Sequence, residues 1–315
     1  MITNKQFKVS IIILTWNGVR HISDCLESVQ KSTYPNYEII VVDNGSKDGT
    51  LELIRNNFPN VKLISNSKNL GFAGGNNIGI KQATGDIIFL LNDDTKIHPN
   101  VIGVLVKELT GSSKIGIVGP KIYFMSDAAG SKKEPNKIWF AGGMIDWVRG
   151  EGYHLGRNLT DNELVNDIKK EVDFITGCAL MIKREVIEKI GVLDERFFAF
   201  YEDADWCQKA KKAGYQVIYI PFGGIWHIKS ATASAVYMND IEGRYIQMLG
   251  RYLKFTIFLK WKNYRNSFVF FMRHAKFIYK TIFLVKFIFI ITPIFLWSIT
   301  GQVLISIFKI AKKHV

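Results

Sequence analysis

An apolar run, Ile87-Ile88-Phe89-Leu90-Leu91, leads directly into Asn92-Asp93-Asp94. Two adjacent carboxylates at the carboxyl end of a buried strand repel each other and lose hydration. A hard divalent cation bound through oxygen offsets both costs. In open α/β sheets this end of the strands is also where ligands bind. The same residues also fit a solvated loop in which Asp94 caps a helix starting near Pro99.

Three other groups of residues bear on the choice. Tyr201-Glu202-Asp203-Ala204-Asp205-Trp206 carries three carboxylates in four positions, more than the capping of a helix needs. A carboxylate oriented at a helix terminus among other acids can be tuned to act as a general base. His227 follows a strand expected to end at Pro221, and its imidazole can converge with Asp94 on one cation if their strands are neighbours. In Asn69-Leu70-Gly71-Phe72-Ala73-Gly74-Gly75-Asn76-Asn77, close-set glycines ahead of a helix would let backbone amides approach an anion. The dinucleotide-binding glycine spacing and the Walker A lysine motif are both absent.

Positioning these residues requires a regular scaffold. Strands are predicted at Val9–Leu14, Tyr37–Val42, Val61–Ile64 and Asp86–Leu91, with helices over about 19–31, 49–57 and 74–83 between them. This alternation implies right-handed βαβ units, hence an α/β fold with a single, mainly parallel sheet flanked by helices. A helix beginning at Pro99 and a strand at Ile115–Val118 follow. Polar segments Ser126–Asn136 and Gly156–Asp167 read as mobile loops around a Trp139–Trp147 hairpin. Val172–Ile182, a helix near 184–190, a helix from about Asp203 and a strand Gln216–Ile220 complete the body.

Charge divides the chain in two. The net charge is +13, and the last acidic residue is Glu242. A neutral body, residues 1–242, thus precedes a basic, aromatic-rich tail over 243–315. The tail contains Phe287–Phe308, a run without formal charge that is long enough to cross a bilayer or to lie in its interface. Upstream, Arg251-Tyr252-Leu253-Lys254-Phe255 and Lys276-Phe277-Ile278-Tyr279-Lys280 interleave basic and aromatic residues. That pattern suits an anionic membrane surface. Nucleic acid attracts the same charges, but the adjoining apolar run favours lipid. A packed helix hairpin is the third reading. The apolar run near the N-terminus is too short for a secretory signal. Cys25, Cys178 and Cys207 show no metal-ligand spacing and read as packing residues in a reducing compartment.

Taken in order, the segments resemble the family-2 glycosyltransferases of GT-A fold, especially the rhamnosyltransferase-like branch. The matching stretches include Ile13–Gly18, Val42–Thr50, Asn69–Asn77, Leu90–Asp94, Phe174–Met181, Gly191–Phe198, Tyr201–Asp205 and Trp226-His227. The resemblance implies an inverting transfer from a nucleotide sugar, dTDP-rhamnose or a UDP-sugar, to a glycan or lipid-linked oligosaccharide. It implies that Thr15, Asn17 and Asp43 contact base and ribose, and that Asn77 lies near the donor. Asn92 and Asp93 would belong to the donor site too. Asp94, with His227 second, would hold a divalent cation, Mg2+ or Mn2+, and Asp203 would be the base. Asn92 departs from the aspartate many relatives carry there. The Gln-x-x-Arg-Trp signature of processive synthases is absent, so one sugar per encounter is expected. The tail would then place the enzyme at the cytoplasmic face of the cell membrane. A sugar-nucleotide nucleotidyltransferase and a non-catalytic membrane scaffold are the alternatives.

Overall fold

The computed structural model describes residues 6–125, 137–165, 167–228 and 245–292. Twelve strands are formed: β1 (Val9–Thr15), β2 (Tyr37–Asp43), β3 (Lys62–Ser65), β4 (Ile87–Asn92), β5 (Thr95–Ile97), β6 (Ile115–Met125), β7 (Ile138–Phe140), β8 (Gly143–Asp146), β9 (Glu151–His154), β10 (Lys170–Glu171), β11 (Ala179–Lys183) and β12 (Gln216–Ile228). The helices are α1 (Ile22–Gln30), α2 (Thr50–Asn57), α3 (Gly71–Gln82), α4 (Val101–Thr110), α5 (Arg184–Ile190), α6 (Glu202–Lys212), α7 (Tyr245–His274) and α8 (Phe277–Lys286).

The chain divides into two compact units. The first is built on a ten-stranded sheet ordered β10-β12-β6-β11-β4-β1-β2-β3, with β5 added to β12 and β7 to β6. Its N-terminal part is the parallel βαβ system the sequence predicts. β1 pairs in parallel with β2 on one side and β4 on the other, so their carboxyl ends align: Thr15 lies opposite Asp43, and Leu14 opposite Asn92. The strand interiors are fully buried, as the continuous Val, Ile and Leu runs require of a sheet covered on both faces.

The sheet as a whole is mixed, not mainly parallel. β11 runs antiparallel to both β4 and β6. Hydrophobic periodicity carries no information about strand direction, which the turns decide. Val172–Ile182 is accordingly not one strand. β10 ends at Glu171, and Asp173–Cys178 turns before β11 enters the sheet.

Two other expectations are corrected. Pro221 does not end its strand, because β12 continues to Ile228 with register shifts around Ile220 and Gly223. A bulge tolerates a residue that has no N–H to give the ladder. Trp139–Trp147 is not a hairpin: β7 pairs with β6, and β8 pairs with β9.

Ser126–Asn136 lies outside the described residues. Gly156–Asp167 is held in place at two points, where Lys121 Nζ is 2.5 Å from Asp161 and 2.6 Å from Asp167. Tyr123 and Tyr219 donate their hydroxyls to the same two carboxylates. The buried ammonium is thereby neutralised by partners that hydrogen bonds also satisfy, which a buried charge requires.

The second unit takes in Ile145–Glu151 and Ala199–Tyr201 together with the C-terminal segment, two insertions that the charge boundary does not reveal. Asn266 of α7 is fully buried and donates its amide to the carbonyls of Ala199 and Phe200. Trp147 stacks on Phe270, and Tyr201 packs on Phe270 and Phe271. α8 packs its Phe283 ring on Phe271. Among the described residues no helix is long and apolar enough to cross a membrane. Most of Phe287–Phe308 lies outside them.

Candidate active site

The site assembles at the carboxyl ends of β1, β2 and β4. Thr15 donates its hydroxyl to Asp93 at 2.5 Å, joining the ends of β1 and β4. The bond needs Gly18, because a Cβ there would collide with both Thr15 Oγ1 and Asp93 Oδ2. Burial and the neighbouring charge of Asp94 push Asp93 up to about 7, against the bond from Thr15. The mutual repulsion expected of this acidic pair is thus present.

Asp94 does not cap a helix, since α4 begins only at Val101. It sits one residue before β5, a strand the sequence reading did not foresee. β5 pairs with β12 so that His227 lies opposite Thr95. This register brings Asp94 Oδ1 to 3.2 Å from His227 Nε2. Both side chains are buried, and neither Asp94 Oδ1 nor His227 Nδ1 has a hydrogen-bond partner among the described residues. Trp139 packs against the imidazole with ring centroids 4.5 Å apart.

An oxygen and a nitrogen at this separation without a hydrogen bond fit two adjacent ligands of one cation. For metal–ligand distances near 2.1 Å and a right angle between them, the ligand atoms stand about 3.0 Å apart. Among the described residues no group of three or more His, Cys, Asp or Glu side chains could hold a metal. A cation held by this pair would need its remaining ligands from substrate phosphates and water, as Mg2+ commonly takes them.

Asp203 stands in the first turn of α6, where Oδ2 accepts the Gly177 amide at 2.9 Å and Oδ1 the Ala204 amide at 2.7 Å. The next residue, Cys178, accepts the Asn92 amide through its carbonyl at 3.0 Å. One short turn thus links the carboxylate of Asp203 to the head of Asn92-Asp93-Asp94. Gly177 is required there, because a Cβ would meet the Phe72 ring at 2.7 Å. Burial raises Asp203 against these two hydrogen bonds. Burial, with the charge of Asp203, raises Glu202 further, and its Oε2 has no hydrogen-bond partner among the described residues. Asp205 is bound by Lys209 at 2.8 Å.

At the end of β2, Asp43 is fully buried. Its Oδ2 accepts the amides of Gly45 and Ser46, whereas Oδ1 has no hydrogen-bond partner among the described residues. That oxygen can accept from a ligand N–H or hydroxyl. Asn17, at φ 55°, receives the Lys47 amide on its side-chain oxygen and gives its own amide to Ser46. It therefore shapes the wall between β1 and β2.

Asn77 spends its side chain on the packing of α3. Its buried side chain donates to Leu193 and Glu195 and accepts from the Leu193 amide. The glycine-rich stretch also differs from expectation, for it lies inside α3. A Cβ at Gly75 would strike Leu14 and one at Gly79 would strike Ile12, so these glycines let α3 lie close on the sheet. The Gly71 amide goes to the Asn69 side-chain oxygen, and those of Phe72 and Ala73 go to the Phe198 carbonyl. Asn44 was not singled out by the sequence reading. It binds Asn69, Leu70 and Gly71 and fixes the approach to α3. All three cysteines are buried and free, as expected of packing residues.

An N-acetylglucosaminyl-diphospho-decaprenol L-rhamnosyltransferase of Mycobacterium tuberculosis is 26% identical over 241 residues, covering 70% of this chain and 76% of that protein. A protein of Sinorhizobium fredii, y4gI, is 30% identical over 234 residues, 71% of this chain but only 25% of the relative's length. The mannosyltransferase PcManGT of Pyrobaculum calidifontis, solved with GDP-Man and Mn2+, shares the fold at a TM-score of 0.51 and 17% identity, over 96% of this chain and 86% of that one. The family model for glycosyl transferase family 2 matches residues 10–191, more than half of the chain. The chain belongs to glycosyl transferase family 2.

Proposed function

We propose that this protein transfers a single sugar from a nucleotide-diphosphate sugar, dTDP-rhamnose or a UDP-sugar, to a glycan acceptor with inversion at the anomeric carbon. A lipid-linked oligosaccharide is the acceptor favoured, at the cytoplasmic face of the membrane. The observation that carries this reading is the link from Asp203 through Gly177-Cys178 to Asn92, beside Asp93 and the Asp94–His227 pair.

Asp43 and Thr15 line the end of the sheet that receives the nucleotide, and the open Asp43 oxygen accepts a donor from base or ribose. Asp203 takes the proton of the acceptor hydroxyl while that oxygen bonds to the anomeric carbon. The bond from that carbon to the diphosphate oxygen breaks on the opposite side, which gives inversion. A divalent cation held by Asp94 and His227 would supply positive charge toward the departing diphosphate.

The deciding experiment incubates the full chain with a panel of nucleotide sugars, Mg2+ or Mn2+, and a lipid-linked glycan fraction. Release of one nucleoside diphosphate, dependent on the acceptor and abolished by Asp203→Asn, is expected. Unchanged turnover in Asp203→Asn overturns the assignment of the base. Diphosphate release from a nucleoside triphosphate plus a sugar phosphate overturns the reaction class.

A further inference from the structure

Helix α8 carries apolar residues on both sides. Phe283 is fully buried and stacks on Phe271, and Phe287 stacks on Tyr264 with centroids 4.5 Å apart. The side facing away from these contacts is apolar as well. Phe277 is 86% exposed, Ile278 63%, Val285 55% and Phe289 72%, with Ile282 and Ile288 also exposed. Phe287, Ile288 and Phe289 belong to the π-helical turn Phe287–Ile291 that continues α8. At about 100° per residue Phe277, Ile278, Ile282 and Val285 of α8 fall within an arc of about 140°, with Phe283 opposite it. Thr281, within the arc, turns its hydroxyl to the Phe277 carbonyl.

Exposed apolar surface of this extent marks an interaction site. The charges beside it identify the partner. On the same projection Lys280 and Lys286 border the two edges of the arc, and Lys276 stands exposed at the helix start. After Glu242 the chain has 13 Lys and Arg and no Asp or Glu. An apolar face rimmed by cations, in a segment without acids, complements the headgroup boundary of an anionic membrane.

We propose that the outward face of α8 and of the π-helical turn that continues it, led by Phe277, Ile278, Val285 and Phe289, lies in the interface of an anionic lipid membrane. The helix docks parallel to the surface, its inner side packed on α7. This inference is independent of the reaction assigned to the first unit, and its test needs no turnover.

The test is flotation of the full chain with vesicles of phosphatidylcholine alone and of phosphatidylcholine with phosphatidylglycerol. Phe277→Ser combined with Phe289→Ser should lower partitioning onto both by about tenfold or more. Lys276→Ser with Lys280→Ser should act only on the phosphatidylglycerol vesicles, by about fivefold per lysine. All four positions are solvent-facing or partly so, and unchanged thermal unfolding verifies that the variants fold. Val285→Asn gives a second, single-site check on the same face. Wild-type partitioning in the phenylalanine and Val285 variants overturns the proposal. So does an oligomer that the phenylalanine changes dissociate while vesicle binding persists, since the face would then join copies of this chain.

Discussion

Asp94 Oδ1 and His227 Nε2 stand 3.2 Å apart, brought together by the antiparallel pairing of a three-residue strand, β5, with the end of β12. Neither residue could reach the other without that strand. The pairing depends in turn on β12 continuing beyond Pro221.

If these atoms share a cation, Asp94→Ala and His227→Ala should each weaken divalent-cation-dependent binding of UDP or dTDP by about 10–100-fold in calorimetry. Binding measured without the cation should change little. Normal affinity in both variants would refute the ligand assignment.

Asp203 should be needed for turnover and dispensable for donor binding. Asp203→Asn is expected to lower kcat by about 10²–10⁴-fold while nucleotide affinity is kept. A base must be unprotonated to act, so activity falls as pH drops through its pKa. Because burial raises that pKa, the acid limb of the kcat profile should lie above the range of an ordinary aspartate.

Gly18→Ala tests the junction of β1 and β4. The added methyl displaces the Thr15 hydroxyl from Asp93, so overpacking and a lost hydrogen bond act together. We expect a destabilisation of about 1–3 kcal/mol in urea unfolding and reduced nucleotide binding. A variant as stable and as active as the parent would show that this contact is not needed.

His154 gives a pH signature of folding. Its ring is enclosed by Trp139, Phe140 and Phe174, and burial pushes its pKa down to about 4, with Arg157 and His227 adding to the effect and the Trp139 carbonyl opposing it. Between its ordinary value of 6.5 and about 4 the unfolded chain binds more protons than the folded one. Stability from this group is therefore complete above 6.5 and lost as pH falls toward 4, by at most about 3 kcal/mol. His154→Phe should flatten that part of the stability curve in denaturant titrations at several pH values. An identical slope in the variant would assign the effect elsewhere.

The residues that do chemistry were legible because their types violate local economy. Asp93 and Asp94 end a buried strand, at the sheet end where ligands bind in open α/β folds, and Glu202, Asp203 and Asp205 exceed what a helix start needs. The parallel pairing of β1, β2 and β4 followed from strand–helix alternation, whereas charge drew a boundary after Glu242 and the compact units divide after Ala231. Strand direction was not legible: nothing in Ala179–Lys183 says that it runs antiparallel to β4. Nor were the roles of Gly18, Gly177 and Gly79, since a missing side chain has meaning only once its neighbours are known. Asn77 lay within a motif, yet its bonds to Leu193 and Glu195 draw it into the packing. Composition and spacing are properties of the chain alone and so determined which residues could act and where its acidic residues end. Convergence of Asp94 on His227, and of Asp203 on the turn beside Asn92, depends on hydrogen-bond register between distant segments, and only the tertiary structure decided it.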